Sequence, residues 1–469
     1  MEDRAARWLP TVLVTTAFAW VVAIAAAPIH DPDSWWHLRL GDELIAQHSL
    51  DTPAWSSFAS ASWVPTEPVP EILSAYVEKV SGLPGLAVLF GVALLLMVLS
   101  VHLTNRREAA PLPASVATLL VVPAATLSLT PRPQLASFIL LPIVLGAWLQ
   151  TERDLKPRWW LVPVVWAWSW CHGFWIFGVV VGVVVVVGVA VSRRADLRCL
   201  GRLAAVVVGS LAVVAINPAG LGVLKAPFVT RASRQYVLEW QRTDLLMGAP
   251  LVTVLMIVTT AVVWSVTRRN VTWARVGLLL LCVVLLWYAN RLVVLSGLIA
   301  SPLLAHALDG LRTERPRSAP AAGRLGRAER LSLVAAGAVA AGLLIVLAPA
   351  TSKEPGGVPV ALDPLLDRWP AGTPVFNAYV LGGWLAWRHP GLDQYIDGSI
   401  TPYSEEQVRD YVRADATEPG WYRVVRRSGA PVALLAADGS LARALQERGW
   451  TESGAADGYV LLVAPGRRP

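Results

Sequence analysis

Two carboxylates and two imidazoles lie within the segment His30–His37, which reads HDPDSWWH and follows the first long apolar stretch of the chain. Acidic groups where a chain leaves a bilayer cost free energy unless they are hydrated, paired or used. Asp31 or Asp33 could act as a general base on a hydroxyl, or as a hard oxygen ligand for a metal ion. The spacing permits either role, and a divalent metal is the one cofactor that the pair would suit.

The residues around this pair predict its local structure. Because the residue before a proline avoids the helical region, Pro32 biases Asp31 away from a helix, and we expect both carboxylates to lie on a turn rather than on one helix face. Asp33 is then a candidate cap for a helix over 34–47, and a plain cap beside a solvated Asp31 is the non-catalytic alternative. Trp36, Leu40 and Leu44 recur at helical spacing, which predicts that this helix lies in the membrane interface.

Four more polar residues are unusual for their positions. Arg132 and Arg291 occur in short turns that otherwise lack cations; each is either an arginine snorkelling to the interface or a guanidinium that pairs with a lipid phosphate. His172, before a glycine at another turn, is a substrate-binding candidate, with a hydrogen-bonded structural histidine as the alternative. Glu239, beside Trp240, is the remaining acidic catalytic candidate, or a solvated loop residue.

The composition is that of a polytopic membrane protein. Of 469 residues, 55% are hydrophobic, and the mean hydropathy is +0.52. The net charge is +7, but arginines fall mainly in short connections between apolar runs, so we expect no nucleic-acid partner. The three cysteines form no CxxC pair, which argues against a disulfide framework or a thiolate metal site.

Apolar runs predict about 11 membrane-spanning helices. They lie near 9–28, 84–104, 112–129, 135–150, 159–171, 174–192, 202–216, 250–267, 273–288, 291–309 and 331–349. Alternate connections are rich in arginine, as in Arg106-Arg107, Arg193-Arg194, Arg268-Arg269 and loop 310–330, so the positive-inside rule predicts a cytoplasmic N-terminus. The sequence thus predicts a transmembrane domain over 1–349, with a large first outer loop over 29–83, and an extracytoplasmic domain over 350–469.

The C-terminal segment has the alternation of an α/β domain. Candidate strands at Thr373–Phe376, Gln394–Ile396, Pro431–Ala436 and Tyr459–Val463 alternate with helical stretches near 361–368, 379–388, 404–413 and 440–448. This order predicts a small α/β sandwich with a largely parallel sheet. No GxGxxG or P-loop motif occurs there, so nucleotide binding is not indicated.

Taken in order, these motifs resemble those of a group of uncharacterised bacterial membrane proteins related to the GT-C glycosyltransferase superfamily. The resemblance covers nearly the whole chain. It includes Asp31–Leu38 with Gly41, Asp51, Glu67, Arg132-Pro133-Gln134, Trp168–Gly173, Asn217-Pro218 with Gly220, Glu239-Trp240, Gly382–Leu385, Asp397-Gly398 and Tyr403. The chain departs from the group at Trp170, Ala219 and Ser399, where the group usually has Asn, Tyr and Arg.

The resemblance implies a multi-pass enzyme of the bacterial plasma membrane that moves a sugar from a polyprenyl-phosphate carrier to an envelope acceptor, inverting the anomeric centre. Asp31 or Asp33 would be the base, while Arg132 and Arg291 would hold the carrier phosphate. It also implies substrate-binding roles for His37, Glu67, Asp397 and Tyr403. The rival interpretations are a non-catalytic scaffold or lipid or solute carrier of the envelope, and a catalytically inactive relative whose tail binds glycan.

Overall fold

The architecture comes from a computed structural model that describes residues 2–468 except 51–53, 61–65, 218–221, 224–237, 247, 268–270, 312–324 and 401. Several predicted features therefore lie outside the described residues. They are Asp51, Pro218, Ala219, Gly220, Arg268, Arg269 and most of the loop 310–330.

Each predicted apolar run forms a helix, because its backbone groups have no partner in a membrane except one another. The helices before the tail are α1 (Glu2–Ala25), α2 (Pro32–Gln47), α3 (Pro68–Glu108), α4 (Pro111–Ala125), α5 (Leu135–Asp154), α6 (Leu161–Ser169), α7 (Trp175–Val191), α8 (Leu197–Ala212), α9 (Gly248–Thr267), α10 (Trp273–Tyr288), α11 (Val293–Asp309) and α12 (Arg327–Thr351). Within the described residues, eight helices are long and apolar enough to cross a membrane, so the chain is a multi-pass membrane protein.

The stretch 159–192, predicted as two short spans, is interrupted between α6 and α7. Helix α6 has nine residues and ends at Ser169, and α7 begins at Trp175. At 1.5 Å per residue, nine residues are too short to cross the hydrocarbon core alone. Helices α7 and α10 are apolar but have fewer than 18 residues, whereas adjoining 3-10 turns extend α4, α8 and α11 to spans of 18 to 20 residues.

The chain divides into two compact units. Unit 1 contains the described residues of Met1–Ala27, Ala87–Pro227 and Arg234–Thr351, and unit 2 contains those of Pro28–Leu86 and Ser352–Pro469. Helix α3 is broken at Gly82, whose φ of 65° and ψ of −168° are not helical. The break divides α3 into a segment before Gly82 and the predicted span near 84–104 after it.

Unit 1 is a helical bundle around an apolar core, and its buried charges are paired at helix ends. Glu108, the last residue of α3, accepts a hydrogen bond from Arg275 at 2.7 Å and lies 2.8 Å from Arg153. Glu152, near the end of α5, lies 3.1 Å from Arg194. Breaking a buried pair leaves an uncompensated charge, so these contacts hold the helix ends in register.

Unit 2 contains a five-stranded sheet in the order β2-β1-β3-β5-β4. The strands are β1 (Pro374–Asn377), β2 (Asp393–Gln394), β3 (Val432–Ala436), β4 (Thr451–Ala456) and β5 (Tyr459–Val463), and the helices beside them are α13 (Asp363–Leu366), α14 (Gly382–Arg388), α15 (Glu405–Asp415), α16 (Trp421–Ser428) and α17 (Ser440–Gln446).

The sheet is mixed, whereas a largely parallel sheet was predicted. β1 pairs in parallel with β2 and β3, whereas β5 pairs antiparallel with both β3 and β4. β4 was missed because its sequence, TESGAA, is mostly exposed and has no apolar run. An edge strand joined to β5 by the Asp457-Gly458 turn needs little burial, because the hairpin supplies its hydrogen bonds.

The apolar stripe of helix α2, which was predicted to face the membrane interface, is covered by protein. Trp36, Leu40 and Leu44 are buried in one cluster with Leu50 and Trp55 against them. Helix α14 packs closely on the same helix: a Cβ added to Gly383 would lie 2.9 Å from the Pro32 carbonyl oxygen. Trp36, at one end of this apolar stripe, lies next to Gly383 and Gly398 of the tail.

Candidate functional site

Asp31, and not Asp33, caps helix α2. Asp31 has extended backbone angles (φ −73°, ψ 117°), and its Oδ1 accepts a hydrogen bond from the Asp33 amide at 2.9 Å. The predicted helix start at Ser34 was too late because Pro32 fits the first helical position, where no N–H partner is needed. Asp33 therefore lies in the first turn of the helix, where the helix dipole favours an ionised carboxylate. The prediction that both acids lie on a turn is corrected accordingly.

Asp33 lies in close contact with Gly398 of the tail. A Cβ added to Gly398 would be 2.4 Å from Asp33 Oδ1 and 3.3 Å from the Trp36 indole nitrogen. A Cβ on Gly382 would be 2.0 Å from the Ile396 carbonyl oxygen. The first-loop motif, the Gly-Gly-Trp motif and the Asp-Gly motif, remote in sequence, thus converge around Asp33.

Asp397 organises this convergence from a buried position. It is 1% exposed; its Oδ2 accepts hydrogen bonds from Tyr403 Oη at 2.8 Å and from Trp55 Nε1 at 3.0 Å. Its Oδ1 accepts from the Ser399 amide at 2.9 Å and from the Ser399 hydroxyl. Burial and the Asp397 charge raise the pKa of Tyr403 well above its usual value, so the phenol remains a donor. The hydrogen bonds of Asp397 thus join Trp55, Ser399 and Tyr403 next to the contact between Gly398 and Asp33.

A second polar group in unit 2 combines His37 with Glu67 and Glu71. His37 Nδ1 lies 2.9 Å from Glu71 Oε1, and one potential ligand atom from each of the three residues lies within 4.8 Å of the other two. Burial and Glu67 raise the pKa of Glu71 well above its usual range. Within the described residues this is the one such group of three, and Asp31 and Asp33, the predicted metal ligands, are not in it.

Unit 1 carries the other predicted residues in one arginine cluster, formed by Arg132, His172, Glu239 and Arg291. The Glu239 carboxylate lies between the guanidinium groups, 2.6 Å from Arg132 and 4.0 Å from Arg291. Arg291 is held between the rings of Phe174 and Trp240, each 5.3 Å from its guanidinium carbon. These contacts fix the Arg291 side chain while its Nε has no hydrogen-bond partner within the described residues.

His172 completes this cluster as a buried, neutral group. Its Nδ1 lies 3.1 Å from the Ser137 hydroxyl and accepts from the Phe174 amide at 3.2 Å, and its Nε2 lies 3.3 Å from Arg291. Burial, Arg291 and Arg132 lower the pKa of His172 well below its usual value. The imidazole thus packs beside two cations without adding a third positive charge.

Two features of these groups were not predicted from sequence. Glu71 comes one helical turn after Glu67, a spacing that places both on one helix face, but nothing in the sequence pairs it with His37. Trp55 approaches Asp397 across 342 positions, a pairing that no local pattern signals.

The fold is that of a polytopic membrane protein with a helical part and a small mixed α/β tail. No family model matches the chain, and no curated protein matches it. Several solved structures do match the chain. The archaeal oligosaccharyltransferase AglB from Archaeoglobus fulgidus, in complex with an inhibitory peptide and a dolichol-phosphate, matches with a TM-score of 0.57 at 13% identity, over 96% of this chain and 75% of that one.

ArnT from Cupriavidus metallidurans matches over almost the full length of both chains. In the apo state it gives a TM-score of 0.56 at 16% identity, covering 99% of this chain and 100% of that one. Bound to undecaprenyl phosphate it gives 0.53 at 15%, covering 98% and 99%. At these identities the likeness establishes the fold.

Proposed function

We propose that this protein is a membrane glycosyltransferase that transfers a sugar from a polyprenyl-phosphate donor to an envelope glycan, glycolipid or protein acceptor. The observation that carries the proposal is the arginine cluster, in which two guanidinium groups already hold a carboxylate. The structures with the same fold include AglB with a dolichol-phosphate and ArnT with undecaprenyl phosphate. A phosphate monoester or diester is the lipid-borne anion that such a pair of arginines would suit.

In this proposal the arginines bind and stabilise the carrier phosphate. Arg132 and Arg291 offer several N–H donors in planar arrays, which match phosphate oxygens in pairs. As the sugar leaves, negative charge grows on the phosphate, and fixed cations that need no reorganisation stabilise that charge in the transition state. The neutral His172 supports the Arg291 side chain without competing for the anion.

The reaction itself is a single displacement. The acceptor oxygen forms a bond to the anomeric carbon, the bond from that carbon to the phosphate oxygen breaks, and the phosphate leaves with the electron pair. A carboxylate takes the acceptor's proton, and the anomeric centre is inverted. Of the two candidates we assign this role to Asp33, because Asp31 Oδ1 already serves as the helix cap.

The tail domain offers a groove for the acceptor. A cavity of about 220 Å³ in unit 2 is lined by the aromatic rings of Phe58 and Tyr395 and by the polar side chains of Gln407, Asp410 and Arg427. Ser57 fixes the loop that carries Phe58, because its amide donates to Asp393 at 2.9 Å. Aromatic faces beside charged and amide groups suit the apolar and hydroxyl faces of a sugar ring.

We further propose that the protein resides in a bacterial plasma membrane with its N-terminus in the cytoplasm and its tail domain outside. The arginine-rich connections support this orientation, because positively charged loops remain on the cytoplasmic side. A donor carried by a polyprenyl lipid and an acceptor of the envelope would then meet the tail side of the protein.

The experiment is an assay of sugar transfer with Asp33→Asn and Asp31→Asn in membranes that hold equal amounts of protein, using a panel of polyprenyl-phosphate sugars as donors. We expect Asp33→Asn to lower the rate by about 10²–10⁴-fold, the usual contribution of a general base. Asp31→Asn should remain largely active, because an asparagine oxygen can accept the same α2 cap hydrogen bond. Asp42→Asn, on the same helix and paired with Lys79, is the matched control and should remain active.

Full activity in Asp33→Asn would refute the assignment of Asp33 as the base. Loss of activity in Asp42→Asn as well would point to a general disturbance of α2.

A further inference from the structure

Helices α2 and α3 pack closely against each other. The space between His37, Glu67 and Glu71, at this contact, is called the pocket below. A Cβ added to Gly41 would lie 2.2 Å from the Glu71 carbonyl oxygen and 2.7 Å from the Ala75 Cβ. His37 is one turn before Gly41 and therefore lies on the same face of α2. The glycine thus brings the His37 imidazole against Glu71.

The opposite side of this pocket carries two acids one turn apart. Glu67 lies just before the first turn of α3, and the Glu71 amide donates to the Glu67 carbonyl at 3.4 Å. Glu71 is 1% exposed and His37 is 7% exposed, while Glu67 is half-buried and open at the edge of the pocket. An ion could therefore enter past Glu67 and reach the two buried groups.

Glu71 has an oxygen that the protein leaves unused. Its Oε1 contacts His37, but Oε2 is buried with no hydrogen-bond partner among the described residues. A buried carboxylate oxygen without a partner carries a substantial desolvation cost, and such a group needs either a proton or a cation.

We infer that the first loop holds a divalent transition-metal ion between His37, Glu67 and Glu71. One imidazole nitrogen with carboxylate oxygens suits Zn²⁺ or Mn²⁺, whereas Mg²⁺ and Ca²⁺ favour sites made of oxygen alone. Ligand atoms about 2.0–2.2 Å from one ion lie a few ångström apart, and the potential ligand atoms here lie within 4.8 Å of one another. The ion would lock α2 to α3 and so fix the helix that presents Asp33.

The test uses the full-length protein in detergent, stripped with a chelator and desalted, and then titrated with ZnCl₂ or MnCl₂. Metal content is measured by mass spectrometry, and thermal unfolding is followed by tryptophan fluorescence. We expect about one ion per chain and a rise in Tm for the wild type, because an ion that binds only the folded state stabilises it. His37→Ala and Glu71→Gln should each weaken the affinity at least about tenfold.

His30→Ala and Glu78→Gln are matched controls, because they remove a neighbouring histidine and a neighbouring acid outside the pocket; both should bind like the wild type. If a variant at a buried position fails to fold, Glu67→Gln gives the same information from the half-buried edge of the pocket. Absence of saturable binding to the wild type would overturn the inference. So would unchanged affinity in Glu71→Gln, which would show that Glu71 is not a ligand. Because the readout is bound metal, this outcome is independent of the sugar-transfer assay.

Discussion

At the scale of single residues, the two predicted acids differ in what surrounds them. Asp31 is 8% exposed, and its carboxylate caps a helix by accepting a hydrogen bond from a backbone amide. Asp33 lies one position into the helix, where its carboxylate meets the Gly398 backbone. The same chemical group two residues apart therefore serves structure in one case and is our candidate for chemistry in the other.

Glu239 has contacts that suggest a role other than the predicted one. It was predicted as a catalytic acid, yet its carboxylate contacts both arginines proposed to bind phosphate. A carboxylate between two guanidinium groups occupies the position that a phosphate would take. We therefore propose that Glu239 is a resident counter-ion that the carrier phosphate displaces.

This proposal predicts that Glu239→Gln binds a polyprenyl phosphate more tightly than the wild type, because the competing anion is gone. Binding measured by thermal shift with undecaprenyl phosphate should show a several-fold lower apparent Kd. Arg132→Ala, in the same cluster, should raise the Kd instead. Weaker binding by Glu239→Gln would contradict the counter-ion role and would indicate that the carboxylate organises the arginines for the ligand.

At the scale of elements, glycines determine how the tail meets the first loop. At Gly382, Gly383 and Gly398, an added Cβ would collide with α2 or with the chain at Ile396-Asp397. The motifs that gave the resemblance are thus packing motifs as much as chemical ones. Their conformational freedom matters less than their lack of a side chain, since none of the three has a positive φ.

The contact at Gly398 gives a test of positioning without touching the proposed base. Gly398→Ala places a methyl group where Asp33 Oδ1 lies, and a carboxylate at the end of a short side chain can rotate away. We expect a folded protein with sugar transfer reduced by about tenfold or more and an unchanged apparent Kd for undecaprenyl phosphate. Gly391→Ala, where the nearest atom is 3.9 Å from the added Cβ, is the control and should retain activity. Wild-type activity in Gly398→Ala would show that Asp33 needs no such placement.

At the scale of the whole molecule, the position of the buried ionisable groups distinguishes the transferase proposal from a solute carrier. A solute carrier needs ionisable groups in mid-span, often in broken helices of two related halves. In unit 1 the buried acid–base pairs of Glu108, Glu152 and Arg275 instead join helix ends. This placement favours the transferase proposal over the carrier, and loss of function in the Asp33 variant would separate it from a scaffold.

The proposed orientation can be tested with cysteine labelling in intact cells. Cys171, Cys199 and Cys282 are replaced by serine, and single cysteines are introduced as Ser453→Cys in β4 and Arg198→Cys in α8, both at exposed positions. A membrane-impermeant maleimide should label Ser453→Cys in intact cells and Arg198→Cys only after permeabilisation, as the positive-inside rule requires. The reverse pattern would place the tail domain in the cytoplasm and remove it from any envelope acceptor.

The sequence alone determined the helices, because an apolar run in a membrane can satisfy its backbone groups only within itself, and it determined which residue types could do chemistry. It also placed Pro32 so that Asp31 had to be extended. Tertiary packing decided the partners: Glu71 for His37 across 34 positions, Glu239 for Arg132 across 107, and Trp55 for Asp397 across 342. Hydrophobic periodicity acts over a few residues. The partner of a polar side chain depends instead on which residue, distant in sequence, comes within about 3 Å of it.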